Sequence, residues 1–215
     1  MLPLVASALC LVAEPGWQEI DRAVAEVGDQ VITASEVEAE VAVQLVRAGR
    51  VELVRSSSIT KELRRASLVA LVVRSLLLSE ARRLKLRPVA ESAVDAAVED
   101  LAGRFANQGD FLRFLDRVGL GAPQAADEDS VPAFAPTWSG GGSSALRSVL
   151  RAELSAARFV ELRVTPAATR DPSKDARAAA KNALRSFVLR LADRTPIRYA
   201  GPWSIDLAAA LEERQ

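Results

Sequence analysis

The chain has 215 residues, room for one or two domains with a sizeable core, and its 28 basic and 28 acidic side chains cancel to a formal charge of zero. That balance argues against a strong bulk field for nucleic acid or an acidic membrane. No histidine occurs and Cys10 is the single cysteine, which removes the commonest general base, the usual zinc ligand and every Ser/His or Cys/His nucleophile pair.

Leu2–Ala13, LPLVASALCLVA, is an apolar run of signal-peptide length that ends on a small residue, and Glu14, Pro15 and Gly16 follow as a polar break. Residues 1–13 are therefore expected to be a leader cleaved after Ala13, although no Lys or Arg precedes the run; a buried N-terminal segment is the competing reading. With Cys10 in the leader, the mature protein has neither a disulfide nor a cysteine metal site. Leu9 before Cys10 argues against a lipoprotein signal. No other stretch is long enough to span a membrane, since the apolar run Leu68–Leu78 is broken by Arg74.

Ala23–Val41, AVAEVGDQVITASEVEAEV, reads as strand, turn, strand and capped helix without a spacer. Val24, Val27, Val31 and Ile32 are β-branched and flank Gly28 and Asp29, residue types that tolerate the positive φ of a tight hairpin. Ser35 followed by Glu38 has the spacing of a capping box, which predicts a helix over about Ser35–Arg47. An isolated hairpin is marginal in water, so a further strand or a helix layer must come from elsewhere in the chain.

Ala48–Ile59 contains Gly49 and three successive serines and reads as a loop. Thr60 can cap the longest helix, Thr60–Leu86, whose apolar residues recur at three- and four-residue steps and widen beyond one stripe at Leu68, Leu71, Val72 and Leu78. Pro88 ends it. Val89–Ala106 resumes with Val94, Val98, Leu101 and Phe105 on one face and Glu91, Asp95 and Glu99 on the other, expected to be solvated. Asp110–Val118 buries Phe111, Phe114 and Leu115 and stops at Gly119 and Gly121.

Ala122–Ser144 is rich in Pro, Gly, Ser and Asp without periodicity, the composition of a disordered insertion; its Phe134 and Trp138 read as loop residues before a docking handle. Ala145–Val164 is again helical. Asp171 and Pro172 supply a cap and a first-turn proline for a last helix striped by Ala176, Ala180, Ala183, Leu184, Phe187, Val188 and Leu191. Ile197–Ala200, IRYA, between Pro196 and Gly201, is the candidate third strand, with Trp203 after it as an anchor.

The order of these blocks resembles the N-terminal domain of SurA-type periplasmic chaperones and their parvulin-linked relatives. Val24–Val41 is similar to that family's opening hairpin and first helix. Leu76–Leu101 resembles its long helix, short break and following helix. Phe111–Gly121 taken with Leu146–Leu154 resembles a helix, a glycine turn and a further helix, here split by the insertion. In such proteins the tail returns to the N-terminal domain with a helix and a strand after the isomerase domains; here Thr165–Arg170 is too short a connection to hold a parvulin domain, so the resemblance implies the chaperone module without the isomerase.

The fold expected is thus mainly α, a multi-helix domain with a small antiparallel sheet made by the N-terminal hairpin and a C-terminal strand. Its organisation is a leader at 1–13, a helical domain at 14–164 with the insertion at 122–144, and a tail at 165–215 folding back on that domain. The resemblance implies a periplasmic, ATP-independent, non-catalytic protein that binds unfolded or extended envelope and outer-membrane polypeptides. No cofactor, metal, nucleic acid or stable membrane span is expected, and a separate parvulin or outer-membrane assembly factor is a candidate partner. A scaffold or accessory subunit of an envelope complex and a residual prolyl isomerase stay open as alternatives.

The candidate client-contact residues are Leu71, Val72 and Leu78, which lie off the main stripe of the long helix, and Phe111 and Phe114, next to the insertion; ordinary core packing is the competing reading for all five. Arg82, Arg83, Lys85 and Arg87 favour the helix dipole before acidic clients or lipid. The acids Glu36, Glu38 and Glu40 alternate and do not share one helix face. Neither GxxxxGK nor GxGxxG occurs.

Overall fold

The computed structural model describes residues 21–55, 59–121, 144–164 and 174–213. The leader, Phe134, Trp138, the stretch 122–143 and the Asp171–Pro172 cap lie outside them.

The hairpin expected near the start is present as β1 (Ala23–Val27) and β2 (Gln30–Thr33). Gly28, at φ 63, takes the first central position of the turn, the place a type II′ hairpin reserves for glycine. A Cβ there would also meet the Thr195 side chain at 3.3 Å. The third strand is β3 (Ile197–Tyr199), which pairs antiparallel with β1 and gives the order β2-β1-β3. The strand expected in IRYA is thereby found, and the sheet is sealed at both ends of β3 by Gly28 N to Pro196 O and Ala200 N to Val24 O, each 2.9 Å.

Helix α1 (Ala34–Arg47) starts one residue before the sequence reading places it, and its cap lies two residues earlier. Thr33, not Ser35, is the cap, and Glu36 is its reciprocal partner: Glu36 N donates to Thr33 Oγ1 and Thr33 N to Glu36 Oε2. Ser35 already belongs to the first turn, where Asp21 takes both its hydroxyl and its backbone N–H. A left-handed Gly49, φ 72, ends α1, and the expected loop instead holds a short helix, α2 (Val51–Arg55), because Val51, Leu53 and Val54 cover the nearby core.

The long helix is α3 (Lys61–Arg83), capped by Thr60 as expected. It stops before Pro88 comes into play. Lys85 at φ 51 closes a Schellman turn, with Leu86 N bonded to Ala81 O and Lys85 N to Arg82 O. Helix α4 (Glu91–Ala102) and α5 (Gln108–Arg117, capped by Asn107) follow. Helix α6 (Ser144–Phe159) widens into a π-helical turn over Val160–Val164, and α7 (Lys174–Ala192), a 3-10 turn (Gly201–Trp203) and α8 (Leu207–Glu212) complete the chain. The sequence reading did not anticipate α8.

Two apolar cores result. One gathers the sheet, most of α3, the C-terminal end of α6 and the tail, around Val24, Val37, Leu68, Leu76, Phe159 and Val188. The other gathers the rest of α1 with α2, α4, α5 and the start of α6, around Val41, Val46, Leu101, Phe111, Leu146 and Leu150. Helices α1 and α6 each contribute to both. The acidic face of α4 is not simply solvated: Glu91 and Asp95 bind Arg147 and Arg151 of α6 at 2.5–3.0 Å.

Candidate functional site

Five neighbouring elements leave a cleft of about 590 Å3. β2 and the first turns of α1 form one side, α3 the back, and the end of α5 with α6 the other side. Its wall is partly apolar, through Ile32, Leu71, Leu78, Leu120 and Val149, with Val31 at its rim. The α3 contribution follows from spacing, since Leu71, Arg74 and Leu78 stand three and four residues apart and so share one face.

Glu40 and Arg74 meet at the floor. Arg74 grips the carboxylate end-on, Nη1 to Oε2 and Nη2 to Oε1, both at 2.8 Å. Gln44 donates to Glu40 Oε1 at 2.8 Å, and Ser67 reaches the Gln44 amide oxygen at 3.4 Å. The Glu40 side chain is 5% exposed and that of Arg74 13%. Glu40 and Ser67 are the buried polar residues among the described residues, so this network holds the seam between the two cores with one charge matched by another.

Of the five residues expected to touch a client, the structure brings Leu71 and Leu78 together in the cleft, half-buried. Val72, one position round the helix from Leu71, is fully buried in the first core. Phe111 and Phe114 are likewise core residues, 3% and 5% exposed, packed with Phe105 at ring separations of 5.1–6.5 Å. Burial at these three fits the competing reading of core packing: α3 is covered on more than one side, and α5 turns its phenylalanines inward. Sequence reasoning missed Glu40, Arg74 and Val31. The available signal was charge inside an apolar run, Glu40 next to Glu38 in VEAEVAV and Arg74 alone in LVALVVRSLLL.

At the rim, the Asp21 carboxyl is lowered to about 2 from 3.8, chiefly by the Ser35 hydroxyl and then by Thr33. The Gln30 amide, with its oxygen toward Arg82, accepts from that guanidinium and donates to Ser75. Arg82 and Arg83 fall in the last turn of α3, as the dipole reading expects, and Arg83 also pairs with Glu80 at 2.6 Å. Farther off, Arg151 and then Arg147 lower the Glu91 carboxyl, and burial raises the Tyr199 phenol. Tyr199 Oη and Trp203 Nε1 are buried with no hydrogen-bond partner among the described residues, and both rings pack against the first core.

Among the described residues no group of His, Cys, Asp or Glu side chains converges as a metal site, and no helix is long and apolar enough to cross a membrane. The cleft accordingly offers apolar wall, a neutralised ion pair and a strand edge. Among curated proteins, none matches the sequence significantly. Residues 4–120, more than half of the chain, match the family model of the SurA-like N-terminal domain, and the hairpin, the long third helix and the returning strand stand where the resemblance placed them. The chain belongs to the SurA-like N-terminal domain family.

Proposed function

We propose that this protein is an ATP-independent, non-catalytic chaperone of the cell envelope that holds unfolded or extended polypeptides in the cleft between β2, α3 and α6. The observation that carries the reading is that cleft, where Leu71 and Leu78 are half-buried while Leu68, Val72, Leu76 and Leu77 of the same helix are sealed in the core. The family match supports it, since the matched module is the non-catalytic part of the SurA architecture. The apolar leader Leu2–Ala13 supports export to the periplasm.

A holder needs apolar surface that a client can reach and a polar rim that keeps the holder soluble. Covering about 300 Å2 of client apolar surface yields about 7 kcal/mol before ordering costs, which leaves binding weak and reversible. Release then needs no nucleotide.

The test is suppression of aggregation of several chemically unfolded proteins at near-stoichiometric ratio, followed by light scattering. Wild type is expected to suppress it, and Leu71→Asp with Leu78→Asp is expected to lose most of the effect while keeping the helical circular dichroism spectrum. No suppression of any client by wild type would overturn the reading.

A further inference from the structure

The sheet leaves β2 on its rim, because the order is β2-β1-β3. Val27 and Gln30 flank the two-residue turn as a bonded pair, while Glu26, opposite Val31, faces Arg198 of β3. The bonds from Gly28 to Pro196 and from Ala200 to Val24 fix that alternation on β1. By the same alternation the backbone N–H and C=O of Val31 point away from β1. Thr33 N–H is taken by Glu36, so along β2 Val31 is the place where a donor and an acceptor face outward side by side. That edge borders the cleft, and the Val31 side chain is 56% exposed.

A donor and an acceptor set at strand spacing are matched by a second extended polypeptide backbone, whereas a lipid chain or an amphipathic helix leaves both unsatisfied. Side chains of an added strand alternate between two faces. Those on the Ile32 side point toward α3, where Leu71 and Leu78 line the cleft; those on the Val31 side meet water. We infer that the client docks as a fourth strand on β2, through two backbone hydrogen bonds at Val31, with apolar side chains at alternate positions directed at Leu71 and Leu78. This rests on the holding function proposed above and names its ligand class: strand-forming segments whose apolar residues recur every second position.

The experiment uses the full chain and short fluorescent peptides followed by anisotropy. The probes are an alternating valine–threonine peptide with terminal lysines, a composition-matched peptide with valines at helical spacing, and a series of the first peptide N-methylated at one position at a time. The alternating peptide is expected to bind about tenfold more tightly than the helical one, and N-methylation to weaken binding about tenfold at the one position whose N–H meets the Val31 carbonyl and little at the others. Val31→Pro, which removes the outward donor at a position where the ladder does not need it, is expected to weaken binding similarly. Should Val31→Pro not fold, the N-methyl series on wild type decides alone.

Equal binding across that series, with client holding still lost in Leu78→Asp, would overturn strand docking and leave the cleft reading standing. Loss of neither peptide binding nor holding in Leu71→Asp/Leu78→Asp would overturn both. A dimer that Val31→Pro dissolves would give the edge to a second copy, and peptide binding seen only after removal of residues 122–143 would give it to that part of the chain; either result overturns the proposal.

Discussion

Asp21 ties the start of β1 to the first turn of α1, its carboxylate accepting from the Ser35 hydroxyl and from the backbone N–H groups of Arg22 and Ser35. Its folded-state value of about 2 lies below the unfolded 3.8, so between those values the unfolded chain binds more protons than the folded one. The stability that Asp21 supplies is therefore complete above about pH 5 and is lost as pH falls toward 2. Asp21→Asn is expected to flatten that part of the acid-unfolding curve, and an unchanged slope would remove Asp21 from the account. At the floor of the cleft, Arg74→Ala leaves the Glu40 carboxylate buried without its cation and is expected to cost about 3–5 kcal/mol, while Glu40→Leu with Arg74→Leu together is expected to cost far less. Urea unfolding of the three variants checks this; a double variant as unstable as the single one would show that shape rather than charge holds the seam. Lys85 adopts a left-handed backbone, φ 51, without the glycine that such turns prefer. Lys85→Gly is expected to raise stability by about 1 kcal/mol, read as a higher urea midpoint at constant slope.

At the scale of elements, α6 is fastened on two sides. Arg147 and Arg151 hold Glu91 and Asp95 of α4, and Arg47 of α1 pairs with Glu153. Arg147→Met is expected to lower the urea midpoint, with the difference shrinking at high salt because the Glu91 and Asp95 carboxylates face water; a salt-independent loss would point to packing instead. The hairpin, α3 and β3 were legible in the sequence because period, turn residues and caps agree at each of them. The start of α1 was less so, since Thr33…Glu36 and Ser35…Glu38 both carry capping-box spacing. Asp21, fourteen residues before Ser35, decides between them, and no local pattern contains that contact. The acids of α4 were placed on one face correctly, yet helical spacing names a face and not its partner on α6. Half of the candidate site was readable for the same reason: Leu71 and Leu78 recur at heptad distance on α3, whereas the pairing of Glu40 with Arg74 joins two helices thirty-four positions apart.

Over the whole molecule, two apolar cores share α1 and α6, and a polar network lies between them. The tail belongs to the first core alone, through Val188, Leu191, Ile205, Leu207 and Ala210. A chain stopped after Asp193 is expected to lose amide-exchange protection in β1 and β2 while α4 and α5 keep part of theirs; uniform loss would show that the cores melt as one unit. The position of β1, held between its own hairpin partner and β3, also governs biogenesis. Glu26 and Arg198 face each other across 172 positions, a closure that slows folding by its sequence separation. A nascent chain emerging N-terminus first thus has to wait for residues 197–199 before the sheet can close. Until Tyr199 arrives, β1 exposes a bare hydrogen-bonding rim, so a chain terminated before it presents two open sheet edges where the complete fold presents β2 and β3.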